Sequence, residues 1–250
     1  MKKYFLIVLS LLFLNVTKSN AQEVFGTVDY DYTSDWVKIY NRATYLTKEE
    51  KEREAMTSRN WTPNAEKMKL FFDGTGSYYT YESQDAGSPG GYSWQKADYF
   101  ITRDFTTNML TEIHNVQGRT FTVVDSIRAP KWKVLNELKD IGGYMCMKAT
   151  TYDDVKKQNV TAWFCADIPV SIGPEQYTGL PGLILEISVD DDAVLITAKR
   201  IDLKVKPEIP KLSAKKLKGK KSKMADFNNF ITQHLKDSAY KHEFAWGLRY

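Results

Sequence analysis

The chain has little of what most enzyme active sites are assembled from. It carries two cysteines, Cys146 and Cys165, and three histidines, His114, His234 and His242. His234 and His242 fall two helical turns apart, with only Asp237 and Glu243 nearby, so a zinc site needs ligands from distant segments. Neither a Gly-x-Ser-x-Gly elbow nor a Cys–His arrangement is present. Asp73-Gly74-Thr75-Gly76 departs from a catalytic Asp-Thr-Gly by the interposed Gly74. Asp153-Asp154 and Asp190-Asp191-Asp192 have the composition of turns, where the Asp side chain bonds nearby backbone; calcium at such a turn is a lesser alternative. No repeat is evident, and beyond residue 21 no apolar run has the length of a membrane span. These absences set an expectation of binding without turnover, with no cofactor, no metal site and no nucleic-acid partner.

What is present begins with a leader over residues 1–21. Lys2 and Lys3 precede an apolar run from Tyr4 to Val16, and Ser19-Asn20-Ala21 is a small-residue cleavage site. Cleavage leaves a chain from Gln22 with no cysteine to carry a lipid. The expectation is a soluble protein exported to the periplasm or cell envelope, or beyond it. One domain is expected over 22–250, since no linker divides it. The full sequence carries +4, and losing Lys2, Lys3 and Lys18 leaves +1. Lys199 to Lys223 alone holds eleven basic and two acidic residues, so the remaining body stands at −8. With Pro207 and Pro210 it reads as an extended, weakly structured, mainly solvated arm. Its alternative use is attraction to an anionic envelope surface.

Between these ends the pattern is that of strands. Residues 23–32 alternate, with Val24, Val28, Tyr30 and Tyr32 on one face. Residues 36–46 suit a strand or a helix start, and Thr47-Lys48-Glu49-Glu50 is a capping box opening a short surface helix to about Met56. Segments 67–72 and 77–81 flank Asp73-Gly74-Thr75-Gly76, a hairpin signal. More strands are expected at 92–102, 106–114 and 119–127, with 131–141 as a connector. Hairpins then pair 144–151 with 160–165 and 184–189 with 193–200. Phe227, Phe230, Ile231, Leu235 and Ala239 recur at helical spacing across 226–240. The expected fold is mainly β: a curved antiparallel open sheet or half-barrel with a short surface helix and a C-terminal helix.

Pairing Thr151 with Val160 sets Ala149 against Ala162 and Met147 against Phe164, and it places Cys146 opposite Cys165. In an oxidising compartment that register favours a cross-strand disulfide. Met145 and Met147 share a face from which Cys146 points away, which favours core packing over a copper site. Glu186 interrupts an apolar strand, and pairing Val189 with Ala193 puts it opposite Ile196. A paired structural carboxylate, or one exposed on the concave face, is the leading reading, with a general acid as the alternative. Tyr79, Tyr81, Tyr92, Trp94 and Trp163, with Glu186, are the candidates for a face that takes an apolar, peptide or glycan ligand.

The most distinctive stretch is Gly179-Leu180-Pro181-Gly182-Leu183-Ile184. Pro181 suits the second position of a tight turn, and Gly182 can supply the positive φ that the third position of a type II turn requires. Gly179 lets another segment approach closely. Upstream stand Trp132, Lys139, Ile141, Gly143, Tyr144, Cys146, Lys148 and Ala149, then Ala162-Trp163, Ile168-Pro169 and Gly173-Pro174. With these the hexamer resembles the GLPGLI family, exported proteins found mainly in Bacteroidota. The resemblance supports Cys146 better than Cys165, and it implies class and location without implying an activity. The leading reading is therefore an exported, envelope-associated binding protein. The alternatives are a hydrolase, peptidase or glycan-active, using Glu186 and a turn Asp, and metal handling through Met145, Met147 or the histidines.

Overall fold

The computed structural model describes residues 23–58, 65–83, 85–87, 93–95, 98–212, 217 and 219–249, with backbone alone for 58, 85–87 and 93–95. The leader and Tyr92 lie outside the described residues, as does the side chain of Trp94. Along the chain come β1 (Gly26–Ser34), α1 (Trp36–Arg42), α2 (Lys48–Ser58), β2 (Glu66–Phe72), β3 (Gly76–Tyr81), β4 (Asp85–Gly87), β5 (Ser93–Gln95), β6 (Phe100–Asp104), β7 (Met109–Val116) and β8 (Arg119–Ser126). They are followed by β9 (Lys133–Ile141), β10 (Tyr144–Asp153), β11 (Gln158–Cys165), β12 (Leu183–Val189), β13 (Val194–Asp202), β14 (Lys220–Ser222) and α3 (Met224–Lys241).

Twelve strands form one sheet in the order β14-β8-β7-β6-β3-β2-β1-β13-β12-β11-β10-β9, and β4 and β5 form a separate ribbon. Neighbours are antiparallel except β14, which runs parallel to β8, so the sheet is mixed. Two meanders make it up: β2 to β8 on one side and β9 to β13 on the other. Among the described residues β1 alone joins them, pairing β2 and β13.

The short link 127–132 dictates the curvature. It connects β8, beside one edge of the sheet, to β9 at the other edge. In a flat sheet ten inter-strand steps of ~4.8 Å would separate them by about 48 Å. Seven chain steps reach only about 25 Å. The sheet therefore curls until its halves face each other, yet it stays open because β14 and β9 do not pair.

Period-two alternation fills the concave side. Val28 and Tyr30 of β1, Met68, Leu70 and Phe72 of β2, and Val194 and Ile196 of β13 are nearly fully buried there. Each such side chain contributes about 1.5–3 kcal/mol by leaving water. The back of the sheet has its own small cluster, Tyr78, Phe100 and Ile113, covered by Ile209 and Leu212. The described part of the basic arm beyond β13 runs as an extended strap over this cluster. Two of its apolar residues, Ile209 and Leu212, find the open back of β3, β6 and β7. Lys206 ties it to Glu23 at 2.6 Å, and Lys220–Ser222 extends it as an edge strand.

Local signals explain the helices. Asp35 caps α1 by accepting from the Lys38 amide at 3.1 Å. Both halves of the α2 capping box form: Thr47 N donates to Glu50 Oε2 at 2.7 Å and Glu50 N to Thr47 Oγ1 at 3.2 Å. α3 lays Phe227 and Ile231 on Phe121 and Val123 of β8. After it, residues 243–249 turn back and bury Phe244, Ala245 and Leu248.

Two expectations need correction. Residues 131–141 are not a connector; they supply β9, an edge strand exposed on both faces and hence without apolar alternation. β12 and β13 pair Val189 with Val194, so Glu186 opposes Thr197 and not Ile196. Asp190, Asp191 and Asp192 all take positive φ (44°, 54° and 65°), which lengthens the turn by one residue. A one-residue slip sends every side chain to the other face.

Candidate functional site

The hexamer is a structural corner in which Gly179 combines the close approach expected of it with the positive φ expected of Gly182. Gly179 is the one at positive φ, 93°, with Ala129 packed where its β-carbon would be. Gly182 is not at positive φ; an added β-carbon would collide with the Cys165 carbonyl, 2.6 Å from its carbon. Gly182 N donates to Leu180 O at 2.8 Å, a three-residue turn about Pro181 in place of a type II turn. Tyr30 then donates its hydroxyl proton to Ile184 O at 2.6 Å, anchoring β12 to the middle of the sheet.

Cys146 and Cys165 are both buried free thiols, which corrects the disulfide expectation. The expected register of β10 and β11 holds, but the ladder stops at Met147–Phe164. Irregularities fall beside it, between Met147 and Lys148 toward β9 and between Trp163 and Phe164 toward β12. The cysteines lie one step past the last paired position. Cys146 Sγ instead donates to Tyr144 O at 3.5 Å. Burial, with Cys165 nearby, pushes the Cys146 thiol up to about 12.

The aromatic candidates do not form one face. Tyr79 and Tyr81 follow Leu70 and Met68 onto the concave side. Trp163 and Glu186, paired across β11 and β12, lie on the back. There Lys139 Nζ bonds Glu186 Oε1 at 2.6 Å and Thr197 Oγ1 donates to Oε2 at 3.2 Å. The ammonium groups of Lys139 and Lys148 sit 5.5 and 5.8 Å from the Trp163 ring. With both oxygens engaged, Glu186 is a paired structural carboxylate, the first of the two readings its sequence context suggests.

The concave side holds a cavity of about 260 Å³ instead. Ile101, Val160, Val189, Ile196, Phe227 and Leu248 wall it from both halves of the sheet, from α3 and from the returning C-terminal segment. Tyr99, His114, Lys156, Glu175 and Arg249 contribute to its polar lining, with Asp153 and Asp154 beside Lys156. Arg249 lies between the rings of Tyr32 and Tyr99, 4.0 and 4.3 Å from their centroids. Its Nε meets Glu175 Oε1 at 2.9 Å and its Nη1 meets Glu66 Oε2 at 3.1 Å. Tyr99 donates its hydroxyl proton to Glu175, and the buried Arg103 donates to the Glu175 main-chain oxygen at 2.5 Å. Behind His114, the fully buried Glu112 holds Nε2 at 2.8 Å, while the ring stacks on Phe227.

Electrostatics follow from this burial. Burial, then the Glu175 charge, holds the Tyr99 hydroxyl far above its usual value. Burial also depresses the Lys156 ammonium. For Arg249 burial works against the charge, but Glu175 and the surrounding tyrosines outweigh it and keep the guanidinium protonated. Glu112 Oε1 and Tyr79 OH are among the buried side-chain atoms that have no hydrogen-bond partner among the described residues. Chemically, His114 oriented by Glu112 can accept a proton, and Lys156 can hold an anion.

Sequence reasoning singled out His114 but did not bring it together with the rest of this cluster. Arg103 and Glu112 left a signal, because both fall in phase with the apolar face of their strands, beside Ile101 and Leu110. Lys156, Glu175 and Arg249 left none, since they reach the cavity from a turn, a loop and the returning C-terminal segment. Among the described residues no three His, Cys, Asp or Glu side chains gather to hold a metal ion. No helix among them is long and apolar enough to cross a membrane.

None of the curated proteins matches this chain. Two solved structures of PNGF-II, in space groups P21 and C2, are similar to it, each with a TM-score of 0.49 and 13% identity. They cover 83% and 82% of this chain, which spans only 33% and 32% of theirs. A family model described as "Protein of unknown function (Porph_ging)" matches residues 153–186, the stretch from the β10–β11 turn through Glu175 and the hexamer to Glu186.

Proposed function

We propose that the chain is an exported, envelope-associated binding protein of the GLPGLI family, whose concave cavity holds a small, mainly apolar ligand without turning it over. The observation that carries this reading is the cavity of about 260 Å³, where apolar side chains from both sheet halves face each other. Ligand pockets typically combine such walls with a few polar groups that orient the bound molecule. Family membership rests on the hexamer and its upstream residues, and export on the leader sequence. Native mass spectrometry of the protein purified from its own envelope tests the reading. A bound small molecule should be present, and it should be absent from Ile196→Trp, a variant that fills the cavity, while circular dichroism stays unchanged. A ligand-free mass under gentle ionisation, together with no thermal shift from any apolar probe, would overturn it.

One observation favours a second reading, hydrolysis. Glu112 fixes the His114 ring at the cavity wall, as an oriented general base requires. Hydrolysis of activated acyl esters that disappears in His114→Gln, with binding retained, would make this the better account.

A further inference from the structure

We propose that the ligand of this cavity carries a single negative charge at one end, a carboxylate that pairs with Lys156; the proposal rests on the reading of the cavity as a binding site. Lys156 follows a turn set by Asp153, whose Oδ1 accepts the amides of Val155 at 2.8 Å and Lys156 at 3.0 Å. Its ammonium reaches inward and donates to the main-chain oxygen of Arg249 at 2.5 Å. That is its single hydrogen bond, and no carboxylate stands at ion-pair distance from it among the described residues. An ammonium presents three donors, so two are left over.

The contrast with its neighbours decides the sign. Arg249 is matched by Glu66 and Glu175, Glu112 by His114, and Asp153 by the turn amides. Among the described residues, and apart from the exposed Asp154, Lys156 is the cavity-lining charge left with a neutral partner alone. Withdrawing an ammonium from water without a counter-ion is costly, and a ligand carboxylate would remove that cost. One negative charge suffices. Asp153 and Glu175 lie close enough to favour the ammonium without pairing with it, and they would repel a dianionic head such as a phosphate. The rest of the ligand meets Ile101, Val160, Ile196 and Leu248, which suits an alkyl chain.

Calorimetry on the full chain with octanoate, octan-1-ol, octyltrimethylammonium and octyl phosphate tests this. Octanoate should bind about tenfold or more tightly than octanol, a difference of about 1.4 kcal/mol, with the cation weakest. Lys156→Gln should bring octanoate down to octanol and leave octanol unchanged. Lys156→Arg, which keeps the charge, should retain the preference and guards against a general loss of fold. Equal binding of octanoate and octanol to the native protein, a preference that survives in Lys156→Gln, or tighter binding of octyl phosphate would each refute the carboxylate while leaving an apolar site standing. Binding of none of the four would remove the cavity reading itself, and the carboxylate with it.

Discussion

Gly182 shows what a single residue can and cannot disclose from its neighbours. Leu180, Pro181 and Gly182 announce a tight turn, and a tight turn forms. The reason for the glycine lies elsewhere, in a carbonyl of β11 that passes where its β-carbon would be. The two reasons make different predictions. If φ were the issue, Asn would be tolerated better than Ala, since Asn visits left-handed backbone. Because space is the issue, Gly182→Ala should already destabilise by ~1–3 kcal/mol, and Gly182→Asn should be no milder. Urea denaturation of the two variants decides it: Asn recovering native stability would return the type II turn. Glu186 teaches the same lesson. Its place in an apolar strand correctly pointed to a paired carboxylate, but its partners Lys139 and Thr197 come from other strands, one of them misaligned by the Asp turn.

At the scale of the element, legibility followed the strength of apolar pairing. Ala149 with Ala162 and Met147 with Phe164 left one sensible register for β10 and β11, and that register forms. For β12 and β13 the turn decided, and three consecutive left-handed aspartates are not what Asp-rich composition alone implies. Lys38 and Arg42 hold that turn: Lys38 Nζ donates to the main-chain oxygen of Asp191 and Arg42 Nε pairs with Asp190 Oδ2, both at 2.6 Å. In the basic strap, lysines outnumber the two apolar residues that seat it, so charge masked the packing signal. The returning C-terminal segment was illegible because its key side chain, Arg249, is held by rings and carboxylates from four other segments. Arg249→Met should strand Glu175 and Glu66 and cost about 3 kcal/mol, toward the low end for a broken buried pair because Glu66 keeps some contact with water. Arg249→Lys should not restore it, since a point charge cannot replace a planar group lying between Tyr32 and Tyr99. Melting temperatures of the two variants test this, and a native value for the Lys variant would contradict it.

Across the whole molecule, the concave side is lined with hydroxyls and a thiol whose ionisation burial opposes. Burial raises Tyr30, Tyr32, Tyr79, Tyr99 and Tyr177 above the ordinary 10.0, and Cys146 from 9.0 to about 12. All these folded-state values exceed the unfolded ones, so the folded chain keeps protons that the unfolded chain releases. Their stability contribution is complete below about pH 9 and is then lost, at up to ~1.4 kcal/mol per pH unit for each group. The urea midpoint should therefore stay level from neutral pH to about 9 and fall steeply above 10. A midpoint still level at pH 12 would contradict this picture of the interior.

β1 gives the molecule a particular order of assembly. Each five-strand meander is contiguous in sequence and can zip from its own hairpins, but β1 must find β13 across most of the chain, and Tyr30 closes on a carbonyl 154 residues away. Contacts that distant form late and slowly. A ribosome or a translocation channel delivering this chain from its amino terminus would thus release a first strand with only β2 to hold it, and the two meanders would lock together only once β13 had emerged. Until that moment the polypeptide remains threadable, and afterwards one strand makes two half-sheets cooperative.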